Sequence, residues 1–85
     1  MNESQLSDQS LAELLTLTVE VDEYATCYRN HLGQLHRIHG PAVIWRDGSK
    51  HWYIMGKRHR DDGPAVVNRD GTEYWYQHNV RYSAT

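Results

Sequence analysis

The chain has 85 residues and a formal net charge of −2. At this length one domain is expected, and its core must be thin, because a domain this small buries only about 60% of the surface its unfolded chain exposes. The single cysteine, Cys27, excludes an intrachain disulfide, and no apolar stretch approaches the roughly 20 residues that a membrane-spanning helix needs.

The charge is unevenly placed. Residues 1–25 hold six acids and no Lys or Arg, while residues 26–85 hold all nine basic residues, five acids and all six His. Either the acidic segment docks on the basic remainder of its own chain, or one of the two patches meets a partner. Three Trp and six Tyr occur without any Phe, so every aromatic carries a polar handle that suits half-buried sheet faces and interfaces. No basic stretch followed by an apolar run suggests a signal peptide, and the reading is a soluble protein of a reducing, cytosol-like compartment.

In chain order, residues 1–6 read as a loose polar start. Ser7-Asp8-Gln9-Ser10 can cap a helix, and Leu11, Leu14 and Leu15 fall on one helical face, which predicts a short helix near residues 8–17. Thr16, Thr18, Val19 and Val21 weaken its continuation, and Leu17 to Asp22 alternates apolar and polar, so residues 17–22 are open to a strand as well.

From Tyr24 onward helix formers give way to Gly, Asp-Gly, Trp and Tyr. A shift of 23 residues overlays residues 36–58 on 59–81 with twelve identities. His36-Arg37 matches His59-Arg60, Gly40-Pro41-Ala42-Val43 matches Gly63-Pro64-Ala65-Val66, Arg46-Asp47-Gly48 matches Arg69-Asp70-Gly71, Trp52-Tyr53 matches Trp75-Tyr76, and Arg58 matches Arg81. A degenerate half-unit, Tyr28 to His36, precedes them, with Gly33 over Gly56; the same position in the last unit is Asn79, which tolerates positive φ. Gly-Pro enters a strand, Asp-Gly turns it, and Gly56-Lys57 or Asn79-Val80 turns the chain again. The fold class is mainly β (α+β): one domain, an antiparallel hairpin meander of about five or six strands in a single open sheet, with a short N-terminal helix.

The motif His-Arg-x-x-Gly-Pro-Ala-Val, then Asp-Gly, then Trp-Tyr-x-x-Gly resembles MORN-like repeats of small phage and bacterial proteins. The resemblance covers residues 28–82 and leaves the acidic segment 1–25 outside it. It implies an interaction or scaffolding module. Small phage proteins of this size include inhibitors of host defence, such as anti-CRISPR proteins, which act in the host cytoplasm.

The residues themselves offer little chemistry. Six His invite a metal, and His36 and His39 are separated by two residues, but there is one Cys and no CxxC or HExxH, and His36 and His59 recur because the unit recurs; they are expected to hydrogen-bond backbone beside a turn. Cys27 reads as an inert side chain and Asp61-Asp62 as turn formers, so no catalytic residue, cofactor or metal is expected. Arg29, Arg37, Arg46, Lys50, Arg58, Arg60, Arg69 and Arg81 among aromatics give a nucleic-acid reading, although stacking within the sheet accounts for the repeating arginines. Protein binding is the main expectation, because Trp, Tyr and Arg dominate binding hot spots and open sheets leave edges that also admit a homodimer. With the small size and the charge asymmetry, the resemblance implies a host protein as partner, a defence nuclease or its assembly, inhibited by steric occlusion. The candidate contact residues are Glu20, Asp22 and Glu23 of the acidic segment and Trp45, Lys50, Trp52, Tyr53, Met55, Trp75 and Tyr76 of the units. The positions that break the repeat, Trp45 against Asn68, Lys50 against Glu73 and Met55 against His78, are the most informative among them.

Overall fold

The computed structural model describes residues 17–84. The helix expected near residues 8–17 lies, but for Leu17, outside the described residues. Nine antiparallel strands follow: β1 (Thr18–Val21), β2 (Ala25–Arg29), β3 (Val43–Trp45), β4 (Lys50–His51), β5 (Tyr53–Ile54), β6 (Lys57–Arg58), β7 (Val66–Val67), β8 (Glu73–Gln77) and β9 (Val80–Ala84). Residues 17–22, open between helix and strand on sequence, therefore hold a strand.

Seven strands form one sheet in the order β1-β2-β3-β4-β7-β8-β9, and β5 and β6 form a separate ribbon. The single sheet of five or six strands is corrected to nine strands in two sheets for a local reason. The return strand of the first full unit breaks at Trp52: Lys50 and His51 pair with β3 and β7, while Tyr53 and Ile54 turn to pair with Arg58 and Lys57. In the last unit β8 stays continuous because β9 pairs along it, with a bulge at Trp75/Tyr76.

Two turns shape each unit. At the first, the Asp carboxylate accepts a backbone N–H two residues on: Ser49 N–H to Asp47 Oδ1 at 2.8 Å and Thr72 N–H to Asp70 Oδ1 at 3.0 Å. At the second, both central residues have positive φ, Met55 (50°) with Gly56 (81°) and His78 (49°) with Asn79 (74°), as a two-residue type I′ turn requires. The repeating histidine holds this turn. His36 Nδ1 accepts the Met55 N–H at 2.9 Å, and His59 Nδ1 accepts the His78 N–H at 3.1 Å.

The hydrogen bonds also correct the alignment of the half-unit. His36 N–H bonds the Tyr28 carbonyl where His59 N–H bonds that of Trp52, and Tyr28 N–H bonds Ala42 where Trp52 N–H bonds Ala65. Tyr28 thus stands where Trp52 stands, not His51, because the turn between Asn30 and Gln34 carries one extra residue. β1 and β2 take the place that β3 and β4 take in the next unit, so part of the acidic segment joins the meander.

Packing follows from the register. Cys27, Val43, His51, Val66 and Tyr74 lie across from one another on one face. Continuing the register by one residue aligns Tyr28, Ala42, Trp52, Ala65 and Trp75 on the other. The two alanines of that row are fully buried, and the remaining buried apolar residues among the described ones are Ala25, Val43 and Val66. Guanidiniums complete the layer. Arg37 lies 4.0 Å over the Tyr28 ring and Arg60 4.0 Å over the Trp52 ring, and each donates from Nη1 to a proline carbonyl, Pro41 at 3.3 Å and Pro64 at 3.1 Å.

The glycine before each proline makes room for this stack. A Cβ on Gly63 would lie 2.8 Å from Arg60 Cζ, closer than real Cβ contacts come. Gly63→Ala is therefore expected to lift the guanidinium from Trp52 and destabilise the chain by about 1 kcal/mol, the scale of a half-buried cation–π contact. Arg60→Ala should cost a similar amount, and the double variant little more than either single one, because both remove the same contact. Urea unfolding followed by tryptophan fluorescence checks this; additive losses would contradict it.

Candidate partner-binding site

The ten candidate residues separate into three groups. Asp22, Glu23 and Trp45 lie at one corner of the sheet, with Glu20 on the adjoining strand β1. Trp52, Tyr53, Trp75 and Tyr76 are half-buried and serve the fold: Trp52 lies under Arg60, Tyr53 and Tyr76 flank Arg58 at 5.7 and 5.4 Å, and Trp75 meets the Tyr82 ring edge-on at 6.3 Å. Arg58 Nε and Trp75 Nε1 are buried there without a hydrogen-bond partner among the described residues. Lys50 and Met55 are exposed, Met55 in its own turn and Lys50 on β4, and neither lines the groove at the corner.

The corner is built by two neighbouring turns. Asp22 Oδ1 accepts the backbone N–H groups of Tyr24 (2.7 Å) and Ala25 (2.9 Å), which closes the β1–β2 turn and holds the carboxyl below its usual pKa. Arg46, next to the Asp47-Gly48 turn, fastens this turn to β3: its backbone N–H bonds the Tyr24 carbonyl at 2.8 Å and its Nη1 the Glu23 carbonyl at 3.0 Å. Ala25 pairs with Trp45, which brings the indole alongside. A side-chain hydrogen bond with Glu23 raises the pKa of the Tyr24 hydroxyl. Glu20 is held by Arg29, Nε to Oε1 at 2.9 Å.

Between these pieces lies a groove of about 300 Å³, lined by Val21, Asp22, Ala25, Thr26, Ile44, Trp45 and Arg46. Two of its lining residues, Val21 and Trp45, are 73% and 40% exposed, and Tyr24 in the adjoining turn and Val19 further back on β1 are 64% and 50% exposed. Val19, Val21 and Tyr24 are absent from the sequence-based set. The apolar–polar alternation of residues 17–22 carried a signal for the two valines, but without the edge position of β1 their exposure was not readable.

A larger groove, about 640 Å³, separates the loops that begin at Arg37 and His59, with Trp52 and Ile54 among its lining. Its charged groups already have partners within the chain: His59 Nε2 with Asp61 at 2.8 Å, Arg60 Nε with Asp62 at 3.2 Å, and both arginine Nη1 atoms with proline carbonyls. It is the space left by the stacking loops, and the corner is the better candidate.

The described residues contain no group of three or more His, Cys, Asp or Glu placed to hold a metal ion, and no helix long and apolar enough to cross a membrane. Burial pushes the Cys27 thiol up, away from the reactive thiolate. No protein-family model, curated protein or solved structure matches the chain.

The titrating groups give a pH signature with a definite sign. Burial, aided by Arg58, lowers the His51 pKa. The neutral ring is therefore favoured in the fold, and its contribution to stability is complete above the unfolded value, about 6.5, and lost as pH falls through the folded one. The Asp47 carboxyl is lowered by the backbone and then the side chain of Ser49, and Asp70 by the hydroxyl and then the N–H of Thr72. These contributions are present above about pH 4 and lost below it. The urea midpoint should thus fall in two steps on acidification. His51→Tyr, which installs the residue found at Tyr74 in the next unit, is expected to remove the step that begins below about pH 6.5 and keep the one below about pH 4.

Proposed function

We propose that the chain is a non-enzymatic protein-binding module that engages its partner through the β1–β2 corner. The observation that carries this reading is a groove lined by Asp22 and by exposed Val21 and Trp45, beside the turn that carries exposed Tyr24 and Glu23. Large aromatic anchors beside a charged rim are the composition of binding hot spots. The acidic corner suits a basic groove on the partner, and occupation of that groove would block it sterically. That the partner is a host defence protein, and the chain a phage-type inhibitor, rests on the MORN-like resemblance and on size.

The nucleic-acid reading is the weaker one. Arg37, Arg58, Arg60 and Arg81 lie over aromatic rings of their own chain and Arg29 is paired with Glu20, so five of the eight cations named for that reading have partners already.

Capture from a bacterial lysate, with identification of the bound protein, is the test. Trp45→Ala and Tyr24→Ala should each weaken the purified complex about tenfold or more, and Glu23→Lys should do so most strongly at low salt. Trp52→Ala, if folded, should bind as the parent chain does. Undiminished binding by all three corner variants would sink the proposal, and a salt-sensitive shift of single-stranded nucleic acid would favour the alternative.

A further inference from the structure

Which backbone groups of β1 face outward follows from its pairing. The Asp22 N–H bonds the Ala25 carbonyl at 3.0 Å, which makes 22 and 25 a hydrogen-bonded pair. Antiparallel ladders alternate, so Glu20–Cys27 and Thr18–Arg29 are hydrogen-bonded pairs, while Val19–Tyr28 and Val21–Thr26 are not. Tyr28 agrees independently, since its N–H goes to Ala42 on the opposite side. The N–H and C=O groups of Val19 and Val21 therefore point out of the sheet edge. Both residues are also exposed apolar ones.

Natural edges are guarded by proline, bulges or charge. β1 has an unbroken register and no proline, and its one charge, Glu20, is held by Arg29. The opposite edge strand, β9, pairs through a bulge.

We infer that β1, whose outer edge has no strand partner among the described residues, is the docking strand of the corner: an extended segment of the partner adds to that edge as a further strand, bonded to the backbone of Val19 and Val21. The inference rests on the corner being the partner site and names the mode of engagement. The occupant is a basic segment in which apolar residues alternate with Lys or Arg. Its apolar residues pack beside Val19 and Val21, and its cations meet Asp22 and Glu23. A second copy fits poorly, because antiparallel self-pairing centred on Glu20 sets that carboxylate against its twin and places the acids of both turns at the flanks.

The test uses the full-length isotope-labelled chain, amide exchange by NMR, and two synthetic probes, the hexapeptide Lys-Val-Lys-Val-Lys-Val and its counterpart with Glu in place of Lys. In the free chain the Val19 and Val21 amides should exchange fast and that of Glu20 slowly. The basic peptide should slow Val19 and Val21 by about tenfold or more, and the acidic one should not. Val19→Pro removes an outward N–H and leaves the β1–β2 ladder its bonds, so it should abolish the effect while Glu20 stays protected. Three results would overturn the inference: Val19 and Val21 protected in the free chain, as when residues 1–16 cover the edge; protection that depends on protein concentration, as for a second copy; or equal action of the two peptides. With a captured partner, retention by Val19→Pro and loss by Trp45→Ala would keep the corner and remove the strand. Loss by neither would remove the corner itself.

Discussion

The fold depends on an arginine laid flat on the aromatic ring of the unit before it. A sheet whose buried apolar residues are three alanines and two valines has little hydrophobic stabilisation to draw on. Guanidiniums supply the missing layer, since a planar cation can cover a ring while its remaining N–H groups face water or a carbonyl. This explains why the residue after the repeating histidine is arginine, why glycine follows three residues later, and why proline comes next with its carbonyl turned back. Histidine, arginine, glycine and proline are one device, fastening a loop onto the strand behind it.

Coupling of this kind is between neighbours. The first loop covers Tyr28, the second covers Trp52, and the chain then changes its plan. β9 runs straight along β8 where a third loop would have formed, so Trp75 meets a tyrosine edge in place of a guanidinium. The last unit is thereby a cap, as end units of stacked repeats commonly are. At the other end β1 is continuous with the ladder and has no cap among the described residues, which gives the two ends of the sheet different chemistry.

Much of this was legible in the sequence because the repeat is nearly exact where geometry is strict. Asp-Gly marked the hairpins, Gly-Pro marked the strand entries, and the histidines were readable as backbone partners of a turn. The break of a return strand at Trp52 was not, since it depends on which neighbour the following residues find. The one-residue slip at Tyr28 was hidden inside a loop that tolerates insertion. The candidate site was legible in part. Asp22, Glu23 and Trp45 lie at one corner with Glu20 beside it on β1, whereas Trp52, Tyr53, Trp75 and Tyr76 look the same on paper and are absorbed by the stack. Composition identifies residues able to bind; only pairing and burial tell which of them are already occupied by their own chain.

The neighbour-only wiring of the loops makes the length of the array a separable property. Each interior unit contributes two strands to the main sheet, which moves its edges apart by about 10 Å. The acidic corner sits at one end of that axis and the bulged cap at the other, so the number of units works as a ruler. Copying or deleting a 23-residue block between them would change the reach of the molecule while leaving the chemistry of both ends as it is.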